Sequence, residues 1–185
     1  GGAKEMCDRA LKELKLDYLD LFLIHFPNRK KPMVEILQEM ERLKKQGKVH
    51  HVGVSNFTIH HLQDILDNGI QVDYNQVEFH PYLYQKELWR FCQNHQIGLI
   101  AYRALGKGEL IQEEIFKDIG NKYQKTPAQI ILRWLIQKEI PVVVKGSSRK
   151  HLQENLHVFD FFLHPEDLKK IDELNRNQRF CETDE

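Results

Sequence analysis

Residues 19–27 read Leu-Asp-Leu-Phe-Leu-Ile-His-Phe-Pro, a nearly unbroken apolar run of strand length that stops at a histidine and a proline. A strand with one face in water alternates apolar and polar side chains. A continuous run therefore predicts a strand covered on both faces, as in a parallel sheet flanked by helices. His25 then falls at the strand's carboxyl end, where α/β proteins bind ligands and carry out chemistry. On its own, His25 reads as a packed, hydrogen-bonded histidine ahead of a catalytic one.

The rest of the chain repeats this unit. Cys7, Ala10, Leu11 and Leu14 at helical spacing predict a helix over 4–15 leading into the first strand. After a polar loop at 28–31, Pro32 suits a first helical position, and Met33, Ile36, Leu37 and Met40 mark the buried face of a helix stopped by Gly47. Strands are expected at 49–54, 72–79, 97–102 and 141–144. Between them, Thr58 caps one helix, which Asn68-Gly69 ends, and Leu88, Phe91 and Cys92 stripe another. A short helix spans about 113–123, and Thr126-Pro127-Ala128-Gln129 opens the next as a capping box with proline at the first position. Lys145 closes the fifth strand, Gly146-Ser147-Ser148 opens a helix running through 155, and a last helix starts near Pro165. Five strands, each followed by a helix and none paired closely enough for a hairpin, give a βα series and a parallel sheet.

Charge narrows the partners. Lysine plus arginine and aspartate plus glutamate balance at 27 each among 185 residues, so no overall basic field draws the chain to nucleic acid or anionic lipid. No apolar stretch reaches membrane or signal-peptide length. Cys7, Cys92 and Cys181 are odd in number and far apart, which fits free thiols in a reducing cytoplasm. The histidine pairs 50–51 and 60–61 are adjacent residues that point different ways, and no metal-ligand spacing is present, so no metal is expected.

A doubly wound nucleotide-binding sheet would carry Gly-x-Gly-x-x-Gly after its first strand, and none is there. The better template is a (β/α)8 TIM barrel, of which this α/β chain supplies about five of eight βα units. Residues 1–185 then form the carboxyl-terminal portion of a single barrel domain, and the opening Gly1-Gly2 suggests a piece of something longer.

Four blocks resemble the aldo-keto reductases, barrels that bind a nicotinamide cofactor without that glycine motif. They are Leu-Ile-His-Phe-Pro at 23–27, Gly-Val-Ser-Asn-Phe at 53–57, Asn-Gln-Val-Glu-Phe-His-Pro-Tyr at 75–82, and Lys145 followed by Glu154-Asn155. The resemblance implies that His25 orients a substrate carbonyl and that Phe26 beside it contacts substrate. It assigns Ser55, Asn56 and Gln76 to the nicotinamide carboxamide, an amide that needs both donors and acceptors. Tyr102 becomes the ring on which the nicotinamide stacks, and Arg103, Leu105 and the rest of the loop at 103–108 wrap the pyrophosphate. The read-alone alternatives are a turn cap for Ser55 and Asn56, a satisfied core amide for Gln76, and an ordinary buried aromatic for Tyr102.

Lys145 with Gly146-Ser147-Ser148 at a helix amino end is also an anion site on physical grounds, from exposed N–H groups, the helix dipole and a lysine charge. The resemblance gives Lys145, Ser147 and His151 to the adenosine ribose and its 2′-phosphate, and Glu154 and Asn155 to the adenine. Two positions depart from the family pattern: Arg103 stands where serine is common, and His151 where an arginine usually pairs the phosphate. The cofactor implied is NADP(H), with a softer preference over NAD(H). The family's proton-donating tyrosine and its lysine and aspartate partners have no counterpart in this chain. The resemblance thus implies NAD(P)H-dependent reduction of aldehydes or ketones to alcohols by a longer, monomeric, cytoplasmic protein acting on small-molecule carbonyls. Residues 1–185 alone are expected to be inactive. The alternatives are a non-catalytic aldo-keto-reductase-like subunit, as in potassium-channel beta subunits and the glutamate-cysteine ligase modifier subunit, or an inactive truncated product.

Overall fold

The computed structural model describes residues 2–28, 33–146 and 148–181. Eight helices and five strands alternate through these residues: α1 (Ala3–Leu14), β1 (Leu19–Ile24), α2 (Met33–Lys45), β2 (Val49–Ser55), α3 (Ile59–Asp67), β3 (Tyr74–Glu78), α4 (Lys86–Asn94), β4 (Gly98–Tyr102), α5 (Glu114–Tyr123), α6 (Pro127–Gln137), β5 (Val142–Val143), α7 (Arg149–Leu156) and α8 (Pro165–Asp172). The strands form one sheet in the order β1-β2-β3-β4-β5. The expected βα series and partial barrel are therefore the observed architecture, although Pro32 and Ser147 lie outside the described residues.

Two compact units divide the chain: residues 1–76 with 87–99, and residues 77–86 with 100–185. In the first, β1 and β2 pair in parallel from Leu19↔Val49 to Ile24↔Val54, and β2 continues onto β3 at Gly53↔Tyr74 and Ser55↔Gln76. Helix α2 packs Leu37, Met40 and Leu43 inward, and α3 packs Leu62 and Ile65. Thr58 caps α3 as expected, its hydroxyl accepting from the His61 N–H.

Within residues 1–185, Leu19 of β1 is buried, Leu21 to Ile24 are half-buried and Asp20 is exposed.

In the second unit, α6 is buried almost all round, from Gln129 through Leu135, and starts at the expected Thr126–Gln129 capping box with Pro127 at its amino end. Trp134 is fully buried, stacks on Phe79 at 5.9 Å and meets Tyr84 edge-on at 5.4 Å. Its indole N–H donates to Asp172 at 2.7 Å, which ties α6 to α8. Strand β5 is shorter than the expected 141–144: only Val142 and Val143 pair, against Ala101 and Tyr102.

Candidate active site

In the first unit the site begins with a close approach between strands. A Cβ on Gly53 would lie 2.6 Å from both the Tyr74 carbonyl and the Leu23 side chain, so only glycine allows this spacing. Two residues on, Ser55 is in register with Gln76. The Gln76 carbonyl accepts two hydrogen bonds, from the Ser55 hydroxyl at 2.8 Å and from the Asn56 N–H at 2.9 Å. The Asn56 amide donates to the Ser55 hydroxyl at 3.2 Å and to the His25 carbonyl at 3.0 Å. Asn56 has φ +64°, a left-handed conformation that asparagine tolerates better than most side chains. The ends of β1, β2 and β3 are thereby tied into one polar cluster.

Four of the assigned residues thus come together. Ser55 is buried, Gln76 and Asn56 are half-buried, and His25 and Phe26 are exposed, with their rings edge to face at 4.6 Å. The Gln76 bonds are made by its backbone, which leaves the side-chain amide to offer a donor and an acceptor together; that is the donor set a carboxamide requires.

Sequence reasoning missed what holds this cluster. Asn75, fully buried, donates to the Phe57 carbonyl at 2.9 Å and accepts the Phe57 N–H at 3.4 Å, clamping the backbone just past Asn56. The signal was a polar residue in a strand interior. Burial pushes the neighbouring Cys92 thiol up to about 12, lowered only in part by Asn75, so it serves as packing rather than as a nucleophile.

In the second unit, β4 ends at Tyr102, which is half-buried. Burial, then the Cys181 thiol and the Glu78 charge, raise its phenol well above the usual tyrosine range. The loop that follows is built of consecutive turns, Gly106 N–H to Arg103 carbonyl at 2.8 Å and Gly108 N–H to Leu105 carbonyl at 2.9 Å. Both glycines have positive φ, as does Arg103 at +53°. The Arg103 guanidinium donates to the Phe180 carbonyl at 3.4 Å, and Leu105 is half-buried.

Beyond β5, the Lys145 side chain is exposed and Ser148 caps α7, accepting the His151 N–H at 3.2 Å. One N–H group of this helix end is thus satisfied by the cap. Helix α7 buries no residue of its own; His151 is exposed, and Glu154 and Asn155 are half-buried.

What holds α7 is Gln129, also missed. Its side-chain oxygen accepts the Thr126 N–H at 2.9 Å, and its amide donates to the carbonyls of Glu154 at 2.9 Å and His157 at 3.1 Å. Thus the residue that caps the start of α6 also satisfies carbonyls at the end of α7. The third missed group is Glu78 with His80, both buried and 3.0 Å apart.

No tyrosine of the block after β3 is placed to give up a proton. Tyr82 and Tyr84 are buried, and burial with a hydrogen bond to Glu113 pushes the Tyr82 phenol up to about 12. Among the described residues, no helix is long and apolar enough to cross a membrane.

A parallel βα array whose polar clusters gather where the strands end is a segment of a (β/α)8 barrel. The chain belongs to the aldo/keto reductase family, whose model matches residues 1–176. It is 43% identical over 173 residues to a glyoxal reductase of Bacillus subtilis, covering 93% of this chain and 62% of that protein. It is 39% identical over 176 residues to a 9,11-endoperoxide prostaglandin H2 reductase of Trypanosoma cruzi, with 93% and 62% covered. Among solved structures, a mutant of Gox0644 in complex with NADPH superposes with a TM-score of 0.91 at 36% identity, covering 94% of this chain and 65% of that one. The chain thus spans somewhat less than two thirds of the length of these relatives.

Proposed function

We propose that the full-length protein reduces aldehydes or ketones to alcohols with NADPH. The observation that carries this reading is the cluster of Ser55, Asn56, Gln76 and the His25 backbone, which presents amide and hydroxyl groups at the ends of paired strands. The reading is supported by family membership and by relatives whose names describe reductases. A nicotinamide cofactor, when bound, supplies the hydride.

The chain's own residues hold and orient. Ser55, Asn56 and Gln76 grip the carboxamide, Tyr102 gives a flat apolar face, and Arg103, Leu105 and the loop at 103–108 line the diphosphate. Lys145, Ser147 and His151 attract the ribose phosphate, and Glu154 and Asn155 meet the adenine. His25 as a neutral imidazole donates one hydrogen bond to the carbonyl oxygen and fixes its direction, with Phe26 alongside. No counterpart of the family's proton-donating tyrosine lies within residues 1–185, so these residues by themselves are expected to reduce aldehydes far more slowly than the full-length protein.

Because His151 replaces a bidentate guanidinium, NADH is accepted as well, at a cost to NADPH preference of about 1.5–3 kcal/mol. The protein is a cytoplasmic monomer. The test is to purify the full-length protein and follow NADPH oxidation with glyoxal and an aromatic aldehyde. Consumption of NADPH with alcohol as product supports the reading, and tight cofactor binding without turnover on any carbonyl would replace it with a non-catalytic subunit. A preference for NADPH over NADH above about a thousandfold would contradict the role given to His151.

A further inference from the structure

A carboxylate with 1% of its surface exposed is costly unless its oxygens are matched by donors, and Glu78 is such a group. Its donors come from far along the chain. The Phe180 N–H reaches one oxygen at 2.6 Å, and the Cys181 N–H reaches the other at 3.0 Å. His80 Nε2 lies 3.0 Å from the first oxygen, while His80 Nδ1 is buried with no hydrogen-bond partner. A neutral ring with its proton on Nε2 satisfies this arrangement, because it leaves only a weak acceptor unpaired rather than an N–H. The Glu78 carbonyl also accepts the Gln85 amide at 2.7 Å, which holds the backbone beneath the carboxylate. Its oxygens are thus engaged by backbone donors and a histidine, away from solvent. The geometry suits a tether, not an acid or base.

The tethered tail touches the surfaces assigned to cofactor. The Phe180 carbonyl accepts Arg103 at 3.4 Å. The Phe180 ring fills the space beside Gly106, where a Cβ would come within 2.7 Å of it. Cys181 interacts with the Tyr102 hydroxyl. Upstream, the tail is held separately: the Arg176 and Gln178 N–H groups donate to the Tyr82 carbonyl at 3.2 and 3.0 Å, and Asn175 accepts the Tyr84 N–H at 3.0 Å. Loss of Glu78 would therefore loosen Phe180 and Cys181 while leaving Asn175, Arg176 and Gln178 held.

We propose that Glu78 is a positioning residue of the cofactor site, acting through Phe180 and Cys181 to hold Tyr102 and the loop at 103–108 in register for the nicotinamide ring and diphosphate. The inference rests on the functional reading above. A Glu78→Gln side chain keeps the shape but replaces one acceptor with an NH2 that faces an N–H, so one tail contact is lost.

The experiment uses the full-length protein, Glu78→Gln, a variant ending at Arg179, and the two combined. Dissociation constants for NADPH are measured for each, and the rate at which Cys181 reacts with an aromatic disulfide reagent is measured for the two proteins that keep it, the unmodified protein and Glu78→Gln. Expected are NADPH binding weakened about tenfold by either change alone, no further loss when they are combined, and Cys181 labelling at least about tenfold faster in Glu78→Gln. Unchanged labelling overturns the tether. Faster labelling with unchanged NADPH binding in folded protein leaves Glu78 merely structural and overturns the positioning role, as does additivity of the two changes. If the unmodified protein binds no NADPH, the functional reading fails and the positioning role with it, while the labelling rates still decide whether Glu78 holds the tail.

Discussion

The two compact units hold their candidate cofactor residues in opposite ways. In the first unit, Ser55 and Gln76 sit at paired strand ends in register, Ser55 is 2% exposed, and the cluster is closed by four hydrogen bonds of 2.8–3.2 Å. In the second, Lys145 follows a two-residue strand, and α7 is an eight-residue helix that buries nothing. The difference matches what each unit has to do. A flat ring that must present one face needs groups fixed to a fraction of an ångström, which strand ends supply. A flexible phosphate is drawn by charge acting over several ångströms, which an exposed lysine supplies without exact geometry. Disturbance in the first unit should therefore be read in rate and stability, and disturbance at α7 in affinity.

The largest effect expected is on His25. In the full-length protein His25→Phe should lower kcat about 10²–10⁴-fold while leaving the NADPH dissociation constant within about threefold, if the imidazole acts on substrate as proposed. Equal losses in kcat and cofactor affinity would blur the contrast between the two units. Next is Asn75→Ala, which strands the Phe57 N–H and carbonyl in the core and should destabilise the protein by about 2–4 kcal/mol. Denaturant unfolding measures it, and a loss below about 1 kcal/mol would mean that Asn75 is not the clamp behind Asn56.

Much of this arrangement could be read from residue order. Strands expected to begin at 19, 49, 72, 97 and 141 begin at Leu19, Val49, Tyr74, Gly98 and Val142, because helix stripes and turn residues act locally. His25 stood out by its place just past the first strand, whereas Ser55, Gln76 and Tyr102 were assigned by the family resemblance, Gln76 lying inside β3. What stayed hidden depends on contacts distant in sequence. Glu78 meets Phe180 and Cys181 across 102 and 103 residues, and no periodicity encodes that. Gln129 announced itself as a capping-box residue, but its second role, 25 and 28 residues on, is tertiary.

Acid should separate the units by a smaller effect. Glu78 is opposed by burial, but its bonds from His80, Phe180 and Cys181 prevail and hold its carboxyl below the usual glutamate value. A depressed pKa contributes stability that is fully present above the unfolded value of about 4.3 and is lost as pH falls through the folded value. Hydrogen exchange at the Phe180 and Cys181 amides should accelerate, relative to the intrinsic rate, as pH falls below that range, while the amides of Asn56 and Phe57, bonded to neutral groups, keep their protection. Loss of protection at both sets together would show global unfolding instead and remove this distinction.

The smallest effect tests whether α7 matters as a positioned element at all. Among the described residues the Ser148 side chain caps it, and alanine there should cost the helix about 1 kcal/mol, glycine only a few tenths. Since α7 buries nothing of its own and is held from the far end by Gln129, most of that cost should be felt as fraying of its first turn. NADPH binding should weaken about two- to fivefold in Ser148→Ala and less in Ser148→Gly, with kcat unchanged, because the turn carrying His151 would have to be ordered on binding. The graded pair matters more than either value. A glycine variant as impaired as the alanine variant would mean that the Ser148 hydroxyl contacts the cofactor directly, and the residues described as loosely held would be as closely fitted as the cluster at Ser55.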